Sequence, residues 1–90
     1  MTFQVRFIPR AKKDLAKLPV HDIRMIHNSL TALSNDNEPW RCVKKLKGLG
    51  DTPIYSFRVG SYRIILTIEM DIMVIFVMEI HHRKNAYRYF

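Results

Sequence analysis

Three groups of side chains in this 90-residue sequence are suited to holding a phosphate or moving a proton. They are Lys44, Lys45 and Lys47, then Arg58 and Arg63, then His81, His82 and Arg83 with Tyr87 a few residues on. Arginine presents a planar fork to phosphate oxygens, and lysine a compact charge that can also neutralise a leaving oxygen. Histidine exchanges protons near neutral pH, and tyrosine can donate or accept one or stack on a base. There is no carboxylate pair at useful spacing, no nucleophilic serine motif and no phosphate-cradling glycine loop. A cationic set of proton carriers without a metal or cofactor suits cleavage of RNA by its own 2′-hydroxyl. The protein then orients the 2′-oxygen in line, stabilises charge on the phosphoryl group and protonates the departing 5′-oxygen. Plainer uses stand beside these. Lysines in a loop are commonly solvated, Trp40 suits packing, and Tyr87, Tyr89 and Phe90 could clasp the sheet. Composition and spacing alone imply a basic α+β domain that binds nucleic acid.

The residues around Arg58 and Arg63 alternate apolar and polar on both sides of Gly60-Ser61. That pattern predicts a β-hairpin over about 53–69, with Gly60 supplying the positive φ that a two-residue type II′ turn requires. Val59 then lies opposite Tyr62, Arg58 opposite Arg63, Phe57 opposite Ile64 and Ser56 opposite Ile65. Tyr55, Phe57, Val59, Tyr62, Ile64, Leu66 and Ile68 share one face, and the two arginines sit side by side on the other. Like charges directly opposite destabilise a sheet by roughly 0.2–1 kcal/mol. Either an anion binds there or two long side chains splay into solvent.

The elements that must position these groups follow from periodicity. Phe3, Val5 and Phe7 alternate with polar residues, giving a strand over residues 2–8. Pro9 suits the first position of a helix, which carries Ala11, Leu15 and Leu18 at helical spacing and stops at Pro19. A second helix runs from about Val20 to Ser34, with Ile23, Ile26, Leu30 and Leu33 on one stripe and His21 and His27 structural or exposed. Residues 35–39 read as a loop, and the basic, glycine-punctuated stretch 40–50 fits no element clearly. After a turn at Met70-Asp71, Ile72 to Ile80 is apolar on both faces and belongs inside the sheet. The order is β-α-α-β-β-β, a helical hairpin on a mainly antiparallel four-stranded sheet, with the first strand beside the last. It forms one domain over residues 1–90.

Fifteen Lys and Arg against eight Asp and Glu give a net charge of +7, which favours an anionic partner, nucleic acid foremost. The longest apolar run, Ile72 to Met78, is far short of the ~20 residues of a membrane span. No signal-peptide pattern opens the chain, and the one cysteine, Cys42, cannot form an internal disulfide and reads as an ordinary buried or interface thiol. These features imply a cytoplasmic protein with no membrane partner.

At these residues the sequence resembles the RelE toxin family of the RelE/ParE superfamily, over nearly the whole chain. The likeness rests on Ala11-Lys12-Lys13-Asp14-Leu15-Ala16-Lys17-Leu18-Pro19, on Lys45-Leu46-Lys47-Gly48, on Tyr55 to Arg63 with its Val-Gly-Ser-Tyr-Arg centre, and on His82-Arg83-Lys84-Asn85-Ala86-Tyr87. The resemblance implies a toxin that cuts messenger RNA in the ribosomal A site. It also implies a fold of the microbial-ribonuclease type and an acidic, RelB-like antitoxin, encoded next door, that wraps the toxin in a hetero-oligomer. Arg63 matches the family's phosphate-binding arginine, and Arg58 a basic residue on the preceding strand. Tyr87 matches the tyrosine that stacks on a base or transfers a proton. His82 and Arg83 match the basic residues before it, and Lys47 matches the lysine loop approximately. Lys45 and His81 join the phosphate-binding set, and Tyr87, Tyr89 and Phe90 are candidate anchors for the antitoxin. Ser56 departs from the pattern, standing where some members carry a lysine, so His81, His82 and Tyr87 compete as general base. The rival readings are a ParE-like gyrase inhibitor without nuclease activity and a non-catalytic RNA-binding module.

Overall fold

In the computed structural model, which describes residues 2–46 and 52–83, a five-stranded sheet is packed against two helices. The elements are β1 (Gln4–Phe7), α1 (Pro9–Ala16), α2 (Val20–Asn35), a single 3₁₀ turn at Pro39–Arg41, β2 (Lys44–Leu46), β3 (Ile54–Val59), β4 (Tyr62–Glu69) and β5 (Val74–His82). The strand order is β1-β5-β4-β3-β2, with β1 parallel to β5 and every other pair antiparallel. The doubly apolar strand therefore lies inside the sheet, with the first strand beside it, as its composition required. Pro9 opens α1, and α2 begins directly after Pro19.

Two expectations need correction. The sheet has five strands rather than four, because Lys44–Leu46, in the stretch that fitted no element, pairs with β3. Three residues at a sheet edge carry too little pattern to be recognised alone; pairing with β3 is what makes them a strand. The last strand starts at Val74, two residues later than expected, since Ile72 sits in the preceding turn and is 63% exposed. Met73 holds a positive φ of 52° there, which an apolar side chain rarely adopts.

One core fills the space between helices and sheet. Ala11, Ile26, Leu30 and Leu33 meet Phe3, Val59, Tyr62, Ile64, Leu66, Ile68, Ile75, Val77 and Ile80. Ile75 and Val77 keep the alternation of a strand, but Val77 and Ile80 are three apart and cannot share a face of a regular one. A bulge resolves this: Ile65 pairs with Glu79 and Leu66 with Val77, leaving Met78 as the extra residue. Beyond Met78 the alternation is reset. Ile80 joins the core, and Glu79 and His81 turn to the opposite face.

Helix α1 runs along β5 where β1 has ended. The backbone N–H of Ile80, on the side of β5 away from β4, donates to Asp14 Oδ2 at 3.1 Å. Removing that acceptor strands a part-buried donor, which costs about 1–3 kcal/mol. Asp14→Ala should lose that much in urea unfolding, and Asp14→Asn, which keeps an acceptor oxygen, clearly less. Among the described residues no helix is long and apolar enough to cross a membrane.

Candidate functional site

The hairpin turn is where the cationic groups converge. Gly60 takes a φ of +55° and Ser61 does not, the pattern of a type II′ turn, and β3 and β4 pair in the expected register through Arg58 opposite Arg63. A Cβ on Gly60 would also lie 2.9 Å from Met25 Cε, so the turn packs closely on α2. At the far end of β5 the backbone N–H of Arg83 donates to Ser61 O at 2.6 Å. That bond brings a third arginine to the turn. Arg58, Arg63 and Arg83, with Gly60, Ser61 and Tyr62, line a small cleft of about 40 Å³. Arg58 and Arg83 are exposed, and Arg63 is half-buried. Three guanidinium groups around one small concavity suit an oxyanion with several equivalent oxygens, such as a phosphate diester.

The register sorts the remaining candidates. His81 pairs with Arg63, and alternation puts it on the arginine face, buried, with Nε2 3.2 Å from Glu79 Oε1. The same carboxylate oxygen accepts from Arg10 Nη2 at 2.9 Å. His82 pairs with Tyr62 on the other face, exposed, with the two rings edge to face at 5.4 Å. Lys44 stands opposite Ser56 and so shares the arginine face, whereas Lys45 stands opposite Tyr55 on the helix-covered side. Lys45 does not line the cleft. Lys47, Tyr87, Tyr89 and Phe90 lie outside the described residues.

Two contributors were not singled out from the sequence. Glu79 shares a strand face with His81 at a spacing of two, a signal that becomes legible once the strand is assigned. Asp22, in the first turn of α2, accepts a 2.6 Å hydrogen bond from the Tyr62 hydroxyl. That bond, with burial and the nearby carboxylate charge, pushes the Tyr62 phenol above its ordinary value, so it stays protonated throughout the neutral range. Tyr62 thereby ties α2 to the strand that carries Arg63. Cys42 is exposed rather than buried, and its thiol donates to Asp36 Oδ2 at 3.4 Å. The bond to Asp36 raises its pKa, the reverse of what a thiolate nucleophile requires. His27 is exposed on α2, tilted against Phe7 at 5.5 Å, and His21 is exposed on the same helix. Trp40 is 37% exposed in the 3₁₀ turn.

Residues 5–87 match the family described as ParE toxin of type II toxin–antitoxin system, parDE. The chain belongs to that toxin family. Among curated relatives, the toxin is 32% identical to Toxin RelG of Mycobacterium tuberculosis, over 98% of this chain and 99% of that one. It is 28% identical to the putative toxin RelE1 of Methanocaldococcus jannaschii, over 98% of both. Its fold superposes on the RelBE2 toxin–antitoxin complex of M. tuberculosis with a TM-score of 0.79 at 28% identity, covering 92% of this chain and 93% of that one. The archaeal RelE–RelB complex of Pyrococcus horikoshii gives 0.76 at 29% identity, covering 92% and 97%. The toxin is thus a RelE-like member of the RelE/ParE superfamily, in sequence and in fold.

Proposed function

We propose that this toxin is a ribosome-dependent endoribonuclease of the cytoplasm that cuts messenger RNA in the A site, and that a RelB-like antitoxin holds it silent. The observation that carries the reading is the cleft in which Arg58, Arg63 and Arg83 meet at the hairpin turn. In the proposed reaction the arginines take the non-bridging oxygens of the scissile phosphate. Their charge is worth most where negative charge grows on the phosphoryl group as the 2′-oxygen adds. A proton acceptor at the arginine face takes the 2′-hydroxyl proton, and Tyr87 gives a proton to the departing 5′-oxygen. The products are a 2′,3′-cyclic phosphate and a 5′-hydroxyl. The cleft is small and holds a phosphate better than it orients a nucleotide, so the ribosome supplies the in-line geometry. The antitoxin is supported by the relatives solved as RelE–RelB and RelBE2 complexes. A protein of net charge +7 also suits a partner with acidic segments, since complementary charge accelerates encounter.

Purified toxin added to ribosomes programmed with a defined message should cut within the A-site codon, and free RNA should be cut far more slowly. Co-expressing the product of the neighbouring reading frame should restore growth. Rapid digestion of free RNA would instead indicate a stand-alone ribonuclease. Intact message together with inhibited DNA supercoiling would move the toxin to the gyrase-inhibitor class.

A further inference from the structure

The arginine cleft is built on the tip of a hairpin. Among the described residues, β2 pairs with β3 only as far as Ser56, so Phe57, Arg58 and Val59 have β4 alone beside them. A strand end paired on one side opens more easily than the interior of a sheet. Three contacts tie this tip down. Met25 of α2 packs on Gly60, and the Arg83 N–H donates to Ser61 O at 2.6 Å. The third joins Tyr62 to α2, its hydroxyl donating to Asp22 Oδ2 at 2.6 Å. Tyr62 is buried in the core, where a phenylalanine ring would pack equally well. Its oxygen and the part-buried carboxylate of Asp22 therefore have a use other than apolar burial. A satisfied polar pair of this kind selects one geometry where an apolar contact allows several.

We propose that Asp22 is a positioning residue for RNA cleavage, holding the hairpin tip through Tyr62 so that Arg63 meets the scissile phosphate. The proposal rests on the RNA-cleavage reading above and adds what fixes the cleft in place. Tyr62 stands between Ser61 and Arg63 in the chain, and all three line the cleft, whereas Asp22 does not. Strand alternation sends the Tyr62 side chain towards α2 and that of Arg63 to the opposite face. A phenol held on the helix side therefore fixes the backbone from which Arg63 reaches the phosphate. It also holds Ser61, whose carbonyl takes the Arg83 N–H, so two of the three arginines depend on it. A hydrogen bond to a carboxylate is about twice as strong as one between neutral groups, and it is directional. The phenol, pushed above its ordinary value by that bond, remains a donor at neutral pH. Asp22 lies in the first turn of a helix anchored by buried Ile26, Leu30 and Leu33, so the acceptor itself sits on a rigid element.

The test is single-turnover cleavage on programmed ribosomes by the full chain. Tyr62→Phe keeps the ring in the core and removes the hydroxyl alone. It should lower the rate constant by about 10–100-fold, the effect of misplacing a phosphate ligand by about 1 Å. Ribosome affinity should change by less than about threefold, since the charge is intact. Asp22→Ala should lose as much rate, and Asp22→Asn, which keeps an acceptor oxygen, should recover most of it. The double variant should match either single variant within about twofold, because the two residues act as one bond. In an Arg63→Ala background Tyr62→Phe should cost no more than about threefold, since most of what the bond aims is gone. Amide exchange in the free toxin gives a readout that needs no cleavage. Ser61, Arg63 and Arg83 should exchange faster in Tyr62→Phe, and Leu66 and Ile75 as in the parent. A full rate in Tyr62→Phe, losses that multiply in the double variant, an equal loss with and without Arg63, or unchanged exchange at the tip overturns the proposal while the nuclease reading stands. A parent that leaves the message uncut on ribosomes sinks the nuclease reading, and the positioning role with it.

Discussion

Arg63→Ala should reduce cleavage of ribosome-bound message by on the order of 10²–10³, the cost of losing one oriented charge at a developing oxyanion. The residue stands on the strand between Arg58 and His81 and lines the cleft with Arg58 and Arg83. It is half-buried and lies outside the apolar core, so its removal empties no cavity there. It also relieves like-charge repulsion with Arg58, a gain of roughly 0.2–1 kcal/mol. The variant should therefore melt close to the parent while being nearly inactive. Binding of programmed ribosomes should persist, since Arg58, Arg83 and the rest of the +7 charge remain. A rate within a few-fold of the parent would remove Arg63 from the chemistry. A collapse of the melting temperature would make it a structural residue instead.

Leu66→Ala should be the most damaging kind of substitution for the fold. Leu66 is fully buried in the core, on the central strand, and pairs with Val77 beside the bulge. Truncating such a side chain costs about 2–5 kcal/mol, through lost transfer energy and the cavity left behind. A domain of this size has about 5–15 kcal/mol in all, so the urea midpoint should fall sharply or the protein should fail to fold. The bulge depends on the same packing, because Leu66 opposite Val77 is the contact that leaves Met78 over. Ile72→Ala offers the comparison, since Ile72 is 63% exposed in a turn. It should change stability by no more than about 0.5 kcal/mol. Similar losses from both would mean that Leu66 is not a core anchor.

What the residues alone determine is local. Gly60 and the alternation around it admit only one economical pairing, so the whole β3–β4 register, with Arg58 against Arg63, is legible from the order of the residues. A two-residue turn leaves no freedom in register, and a slip by one would put every apolar side chain on the wrong face. Pro9 marks a helix start through its fixed φ, and Pro19 a helix stop by pushing the residue before it out of the α region, both local effects. The doubly apolar β5 announces its interior place in the same way.

What the tertiary structure decides is which of the chemical groups meet. His81 and His82 are adjacent in sequence, and alternation says only that they point to opposite faces. The bulge at Met78 chooses which one faces Arg63, and it exists because Val77 and Ile80 must both enter one core while standing three residues apart. The meeting of Arg83 with the turn depends on one backbone bond, from its N–H to Ser61 O, between two segments separated by the whole of β4 and β5. The edge strand Lys44–Leu46, and with it the separation of Lys44 from Lys45 onto opposite faces, depends on pairing with β3. These are non-local choices. They are set by packing between segments that carry no sign of one another in the sequence, which is why residue types identify the cationic groups but do not fix their arrangement.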